Sequence, residues 1–239
     1  MARRAKAATP RTPPLKFDQR LVLNQWMLGL FEVERFDQLA EPLKKDAALE
    51  GFDEDNVSRF HGVLKALLWE RQELPGDLLR AYDENIVRHW QAITSGRGRD
   101  GQRLYPKHFQ YLSMLFAEVY LDRYFHDPER LLADLNTHVR QFNFGKAEAD
   151  CIPEYEPEGL NKLAFWMATG SGKTLIMHVN IEQYRHYLAL HGRGRELNRI
   201  ILLTPNEGLS RQHLEEFHLS GMDAEMFSKE GRGHCCPVV

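Results

Sequence analysis

Apolar side chains return every three or four positions through most of residues 17–142, the spacing of one helical face. The first stretch carries Leu23, Trp26, Met27, Leu30 and Phe31 behind a potential cap at Asp18. A second follows Asp55, with Val57, Phe60, Val63, Leu64, Leu67 and Leu68 in step. Pro75-Gly76 then interrupts the chain before Leu79, Tyr82, Ile86, Trp90 and Ile93 resume the rhythm. The strongest pattern spans 107–125, where Phe109, Leu112, Leu115, Phe116, Val119, Tyr120 and Tyr124 form an aromatic-rich stripe that needs a packing partner. Asp127-Pro128-Glu129 supplies a cap, a proline for the first helical position and an acid for the first turn. It predicts a further helix through Leu131, Leu135, Val139 and Phe142.

The rhythm breaks between 143 and 161. Gly145, Pro153, Pro157 and Gly159 stand among acidic residues there, which reads as a linker or long surface loop and marks a domain boundary. Beyond it, short apolar runs at 163–167 and 200–203 bracket a helical stretch from 173 to about 190, the order of a βαβ unit. The expected fold class is therefore α/β: a largely helical region over 17–142, the linker, and the start of a parallel-sheet domain over 162–239. Residues 1–16 join prolines and small residues to basic side chains with no acid. They read as a disordered leader, with a phosphate-touching arm or an organellar transit segment as alternatives.

Composition changes this picture little. Hydrophobic residues make up 43% and charged ones 27% of the 239 positions, enough apolar content for a sizeable core. The sequence has neither a run long enough for a membrane span nor a secretory signal, so a cytoplasmic protein without a membrane partner is expected. With a formal net charge of −3, any contact to a polyanion has to come from local basic segments. Arg97-Gly98-Arg99 and Arg193-Gly194-Arg195 fit that role, and fit solvated turns equally. Cys151, Cys235 and Cys236 form no CxxC pair, and His234-Cys235-Cys236 is too crowded for one tetrahedral metal site.

The clearest chemistry lies in Ala168-Thr169-Gly170-Ser171-Gly172-Lys173-Thr174, between the first apolar run and the helix. Glycines let backbone amides approach phosphate oxygens, a lysine reaches the β and γ phosphates, and a threonine hydroxyl ligates magnesium. Gly170, Gly172, Lys173 and Thr174 provide each of these, with Thr169 and Ser171 completing the loop. Met167 stands where the longer GxxxxGK[ST] pattern has its first glycine, so the match is to the GxGKT core. At ordinary glycine usage that core arises by chance in a chain of this length on the order of one per cent of the time, and the flanking pattern lowers the odds further. The expected ligands are ATP and Mg2+, with Lys173 and Thr174 as the catalytic pair and Thr174 as the metal ligand.

A second segment, Leu202-Leu203-Thr204-Pro205-Asn206-Glu207-Gly208-Leu209-Ser210-Arg211-Gln212-His213, follows the 200–203 run. Alone it is a strand end leading into a capped helix. Together with ATGSGKT, at this separation, it resembles motifs I and Ia of superfamily 2 helicases, in particular the restriction subunit of type III restriction enzymes. The resemblance covers about 163–228 and implies a RecA-like domain, incomplete here, in an ATP-dependent helicase or translocase. It further implies that Pro205, Leu209 and Gln212 lie in a loop whose backbone contacts a nucleic-acid strand, DNA with RNA as the alternative. A restriction-modification or defence-system partner is implied as well. Helicases of this group also read adenine through an aromatic-glutamine element upstream. Tyr105-Pro106-Lys107-His108-Phe109-Gln110 fits it, making Gln110 either a cofactor-binding residue or a side chain on the polar face of its helix.

Phosphoryl transfer needs a second carboxylate for magnesium and water, and arginines for the developing charge. No Asp-Glu-x-Asp or Asp-Glu-x-His box follows Leu203, and Asp223-Ala224-Glu225 has no apolar strand before it. The expectation is an amino-terminal portion of a longer motor, able to hold ATP but inactive by itself. Two other readings stay open. A small P-loop kinase or GTPase shares the loop, although Asn161-Lys162-Leu163-Ala164 lacks the aspartate of a guanine-reading tetrad. A helical interaction module over 17–142 with a vestigial nucleotide lobe is the other.

Overall fold

The computed structural model describes residues 17, 20–68, 73–98 and 102–227. The 1–16 leader, the Asp18 cap, Arg99, Cys235 and Cys236 lie outside the described residues. Eight α-helices follow one another among those described: α1 (Val22–Leu30), α2 (Phe36–Lys44), α3 (Arg59–Leu67), α4 (Gly76–Thr94), α5 (His108–His126), α6 (Pro128–Asn143), α7 (Lys173–Leu190) and α8 (Glu207–Leu219). The periodicity locates all but α2, a nine-residue helix with Pro42 inside it. Gln38 closes its start by accepting from the Arg35 amide at 2.9 Å. α3 is capped by Ser58, whose hydroxyl accepts from the Phe60 amide at 3.1 Å. Asp127 caps α6 as its sequence predicts, accepting from the Arg130 amide at 2.9 Å.

α5 is the central element. Tyr111, Leu112, Met114, Leu115 and Val119 are wholly buried, and α2, α4, α6 and α7 pack around the helix. A helix apolar on nearly every side is stable only when enclosed in this way. Each large apolar side chain buried there contributes roughly 1.5–3 kcal/mol. α7 packs chiefly on α4 and α5, and its Val179 joins the same core as α1 to α6.

α6 takes in Asn143, the first residue of the expected linker, and 144–161 has no α-helix, only single 3-10 turns at Glu148–Asp150 and Pro157–Gly159. It is nevertheless tied to the bundle. Asn143 exchanges two hydrogen bonds with Ile152, Asn136 exchanges two with Tyr155, and the Tyr120 hydroxyl donates to the Leu160 carbonyl at 2.7 Å.

The expected parallel sheet is not formed, which corrects the α/β assignment and its RecA-like, βαβ start. Neither 163–167 nor 200–203 is a strand, and the one β-bridge among the described residues is an isolated antiparallel pair, Phe52 with Ser58. A short apolar run becomes a strand only when neighbours complete its hydrogen-bond ladder. No described segment does so for these two runs, and Trp166, Ile201 and Leu203 stand 84%, 76% and 88% exposed. The regular elements among the described residues are therefore all helical, with two extended apolar segments beside α7. No described helix is long and apolar enough to cross a membrane.

Candidate nucleotide-binding site

The glycine loop has the backbone its sequence demands. Gly170 and Gly172 both have φ of +78°, the left-handed region that side-chain-bearing residues enter only at a cost. The Ser171 amide bonds back to the Ala168 carbonyl at 3.3 Å, closing the turn. α7 starts at Lys173 with Gly172 as its side-chain-free cap. The Ile176 amide makes the first bond of the helical ladder, to the Gly172 carbonyl, so the amides of Lys173, Thr174 and Leu175 precede that ladder at the positive end of the helix dipole. Such an end is suited to an anion.

Lys173 folds back over the loop, its Nζ donating to the Ala168 carbonyl at 2.9 Å and facing the Met167 carbonyl at 3.4 Å. It is exposed, as is Thr169, while Thr174 is half-buried. Lys173 and Thr174 border a hollow of about 740 Å³ that Phe165, Met167, Asn180 and Tyr184 also line. This volume falls within the range of small-molecule sites. It lies on the outer face of α7, between the two segments expected to be strands. The residues fit a magnesium-nucleotide in kind: positive charge, open amides and a hydroxyl converge on one turn.

Gln110, far away in sequence, touches this loop. Its Oε1 accepts from the Lys107 amide at 2.8 Å and its Nε2 donates to the Ser171 carbonyl at 2.9 Å. Two turns further along α5, Glu118 is wholly buried and takes hydrogen bonds from Asn85 of α4 and from Gln183 and Tyr187 of α7, at 2.7–2.8 Å. Burial pushes its carboxyl up to about 7, outweighing those three donors. α5 thus holds the phosphate-loop helix at two heights, through Gln110 and through Glu118.

The second predicted segment begins α8. Pro205 and Gln212 are exposed and Leu209 is half-buried. Asn206 caps the helix by accepting from the Leu209 amide at 2.9 Å, which occupies that amide but not those of Glu207 and Gly208. α8 is clamped to the end of α4 by Arg97, which pairs with Glu216 and donates to the Ser220 hydroxyl at 2.7 Å. Its side chain is only 11% exposed, so the Arg97-Gly98 turn serves α8 and not a phosphate track. Arg193 is likewise paired, with Glu196. His178 of α7 completes the contact, stacked on Phe217 at 4.3 Å and bonded to Ser220 at 2.7 Å; burial, with Arg97 adding to it, pushes the imidazole down to about 4.

The family model described as type III restriction enzyme, res subunit, matches residues 79–235, more than half of the chain. The chain belongs to this family. Its members are helicase-like, so ATP and nucleic acid are the ligand classes that membership suggests. No curated protein and no solved structure matches the chain.

The res-subunit match starts within α4, so it takes in α4, α5 and α6 as well as the glycine loop and α8. In the sequence the resemblance is carried by about 163–228 and by the Tyr105–Gln110 element upstream, because the rest of the helical region is amphipathic pattern without a motif. Glu118, Asn85, Gln183 and Arg97 were missed as residues that position the site. One signal pointed to Glu118: an acid in the middle of the most apolar helix of the chain is affordable only with donors around it.

Proposed function

We propose that this chain is the nucleotide-holding part of a restriction-type helicase or translocase, binding Mg-ATP at 168–174 and a nucleic-acid strand at the start of α8. The observation that carries this reading is the loop itself: two glycines at φ of +78° feed directly into the helix that begins with Lys173-Thr174. Lys173 would hold the β and γ phosphates and Thr174 the magnesium ion, with Thr169, Gly170, Ser171 and Gly172 enclosing the phosphates through their backbone. The bound ion would neutralise phosphate charge. The exposed Pro205 and Gln212 and the half-buried Leu209 lie about a helix start whose Glu207 and Gly208 amides suit strand phosphates without reading bases. DNA is the expected strand and RNA the alternative, with a restriction-modification or defence-system protein as partner. Residues 17–142 serve as a helical platform for the loop, and 143–161 as its connection.

Mg-ATP should raise the melting temperature of the purified chain, and Thr174→Ala should remove the magnesium dependence of that rise. A magnesium dependence in the variant as large as that of the wild type would refute the assignment of Thr174. Binding of labelled single strands that Gln212→Glu leaves unchanged would remove Gln212 from the nucleic-acid surface.

A further inference from the structure

We propose that Gln110 is a positioning residue that latches the phosphate loop, setting its shape for the phosphates of any nucleotide and not selecting the base. The inference rests on the nucleotide-binding reading above. Gln110 is 8% exposed, and both ends of its amide are directed at protein: the oxygen at the Lys107 amide, the nitrogen at the Ser171 carbonyl. Among the described residues it makes the one hydrogen bond that reaches the loop from another helix. The Ser171 hydroxyl is buried without a partner, so the carbonyl is the point at which this residue is held from outside the loop.

Gly170 and Gly172 sharpen the point. They share the same φ, yet an added Cβ at Gly170 meets nothing within 4 Å, whereas at Gly172 it would lie 2.5 Å from Gln110 Nε2. Gly170 is required by the backbone alone. At Gly172 a side chain is opposed by the backbone and would in addition displace the end of the Gln110 side chain from its place over the loop. The latch is mounted on a rigid element, because α5 is fixed to α7 two turns further on through Glu118, Gln183 and Tyr187. The loop is therefore held at Ser171 at a set height relative to the helix that carries Lys173. A base-reading amide would instead turn its donor and acceptor outward together.

The test compares affinities of the full chain for Mg-ATP, Mg-GTP and magnesium tripolyphosphate in wild type, Gln110→Ala and Gln110→Glu. Glutamate keeps the acceptor for Lys107 and presents no donor to Ser171, and it serves where the alanine variant does not fold. Loss of one such hydrogen bond should weaken all three ligands together by about five- to tenfold, leaving the ATP-to-GTP ratio unchanged. Weakening of ATP alone would overturn the latch in favour of adenine reading, and unchanged affinities for all three would overturn it outright. A wild-type chain that binds none of the ligands would instead refute the nucleotide-binding reading itself.

Discussion

Replacing Gly172 with alanine imposes two separable costs. At φ of +78° an alanine is strained by about 1–2 kcal/mol. Its Cβ would also lie 2.5 Å from Gln110 Nε2, so the amide must withdraw and give up its 2.9 Å bond to Ser171, a further loss of about 1 kcal/mol. Gly170→Ala carries only the first cost, since the space around it is open. For a chain of this size each kcal/mol moves the melting temperature by about 2–4 °C. Gly172→Ala should then melt a few degrees below Gly170→Ala, and the gap should vanish when both are placed on Gln110→Ala. Scanning calorimetry of the four variants, with Mg-ATP titrations alongside, measures this coupling. Equal melting of the two alanine variants, or a gap that persists without Gln110, would refute the claim that α5 presses on the phosphate loop.

Two further outcomes follow from the buried polar contacts. Glu118 holds its proton more tightly folded than unfolded, its carboxyl pushed up from 4.5 to about 7. Its contribution is therefore complete below about pH 4.5 and is lost as the pH rises towards 7, a change of about 3 kcal/mol. In urea unfolding at pH 5 and pH 8, Glu118→Gln should flatten that decline; a pH profile parallel to wild type would contradict the assignment. Arg97→Ala should free α8 from the end of α4 by removing the bonds to Glu216 and Ser220, at a cost of about 2 kcal/mol. Faster hydrogen exchange confined to α8 would show it, and unchanged protection of 207–219 would speak against the clamp.

Much of the helical architecture was legible because period and caps agree. Asp127-Pro128-Glu129 marks a helix start that the structure realises, and α4 begins at the Pro75-Gly76 break. The glycine loop was legible for a stronger reason: GxGKT constrains φ at two residues and places a cation and a hydroxyl on the next turn, so the string carries its own geometry. The sheet was misread because the apolar runs at 163–167 and 200–203 satisfy the composition of a buried strand, while pairing depends on partners that no local pattern reveals. The meeting of Gln110 with Ser171 and of Glu118 with Gln183 was invisible for the same reason. These contacts span 61 and 65 residues and depend on how α5 lies against α7.

The central claim, that 168–174 holds a nucleoside triphosphate through Lys173, is tested most directly by titration calorimetry of Mg-ATP into the purified chain and into Lys173→Ala. The account predicts one equivalent bound by the wild type and affinity lowered at least about tenfold in the variant, the loss of a charge-assisted phosphate contact. Equal affinity in the two proteins, or no binding to either, would contradict it.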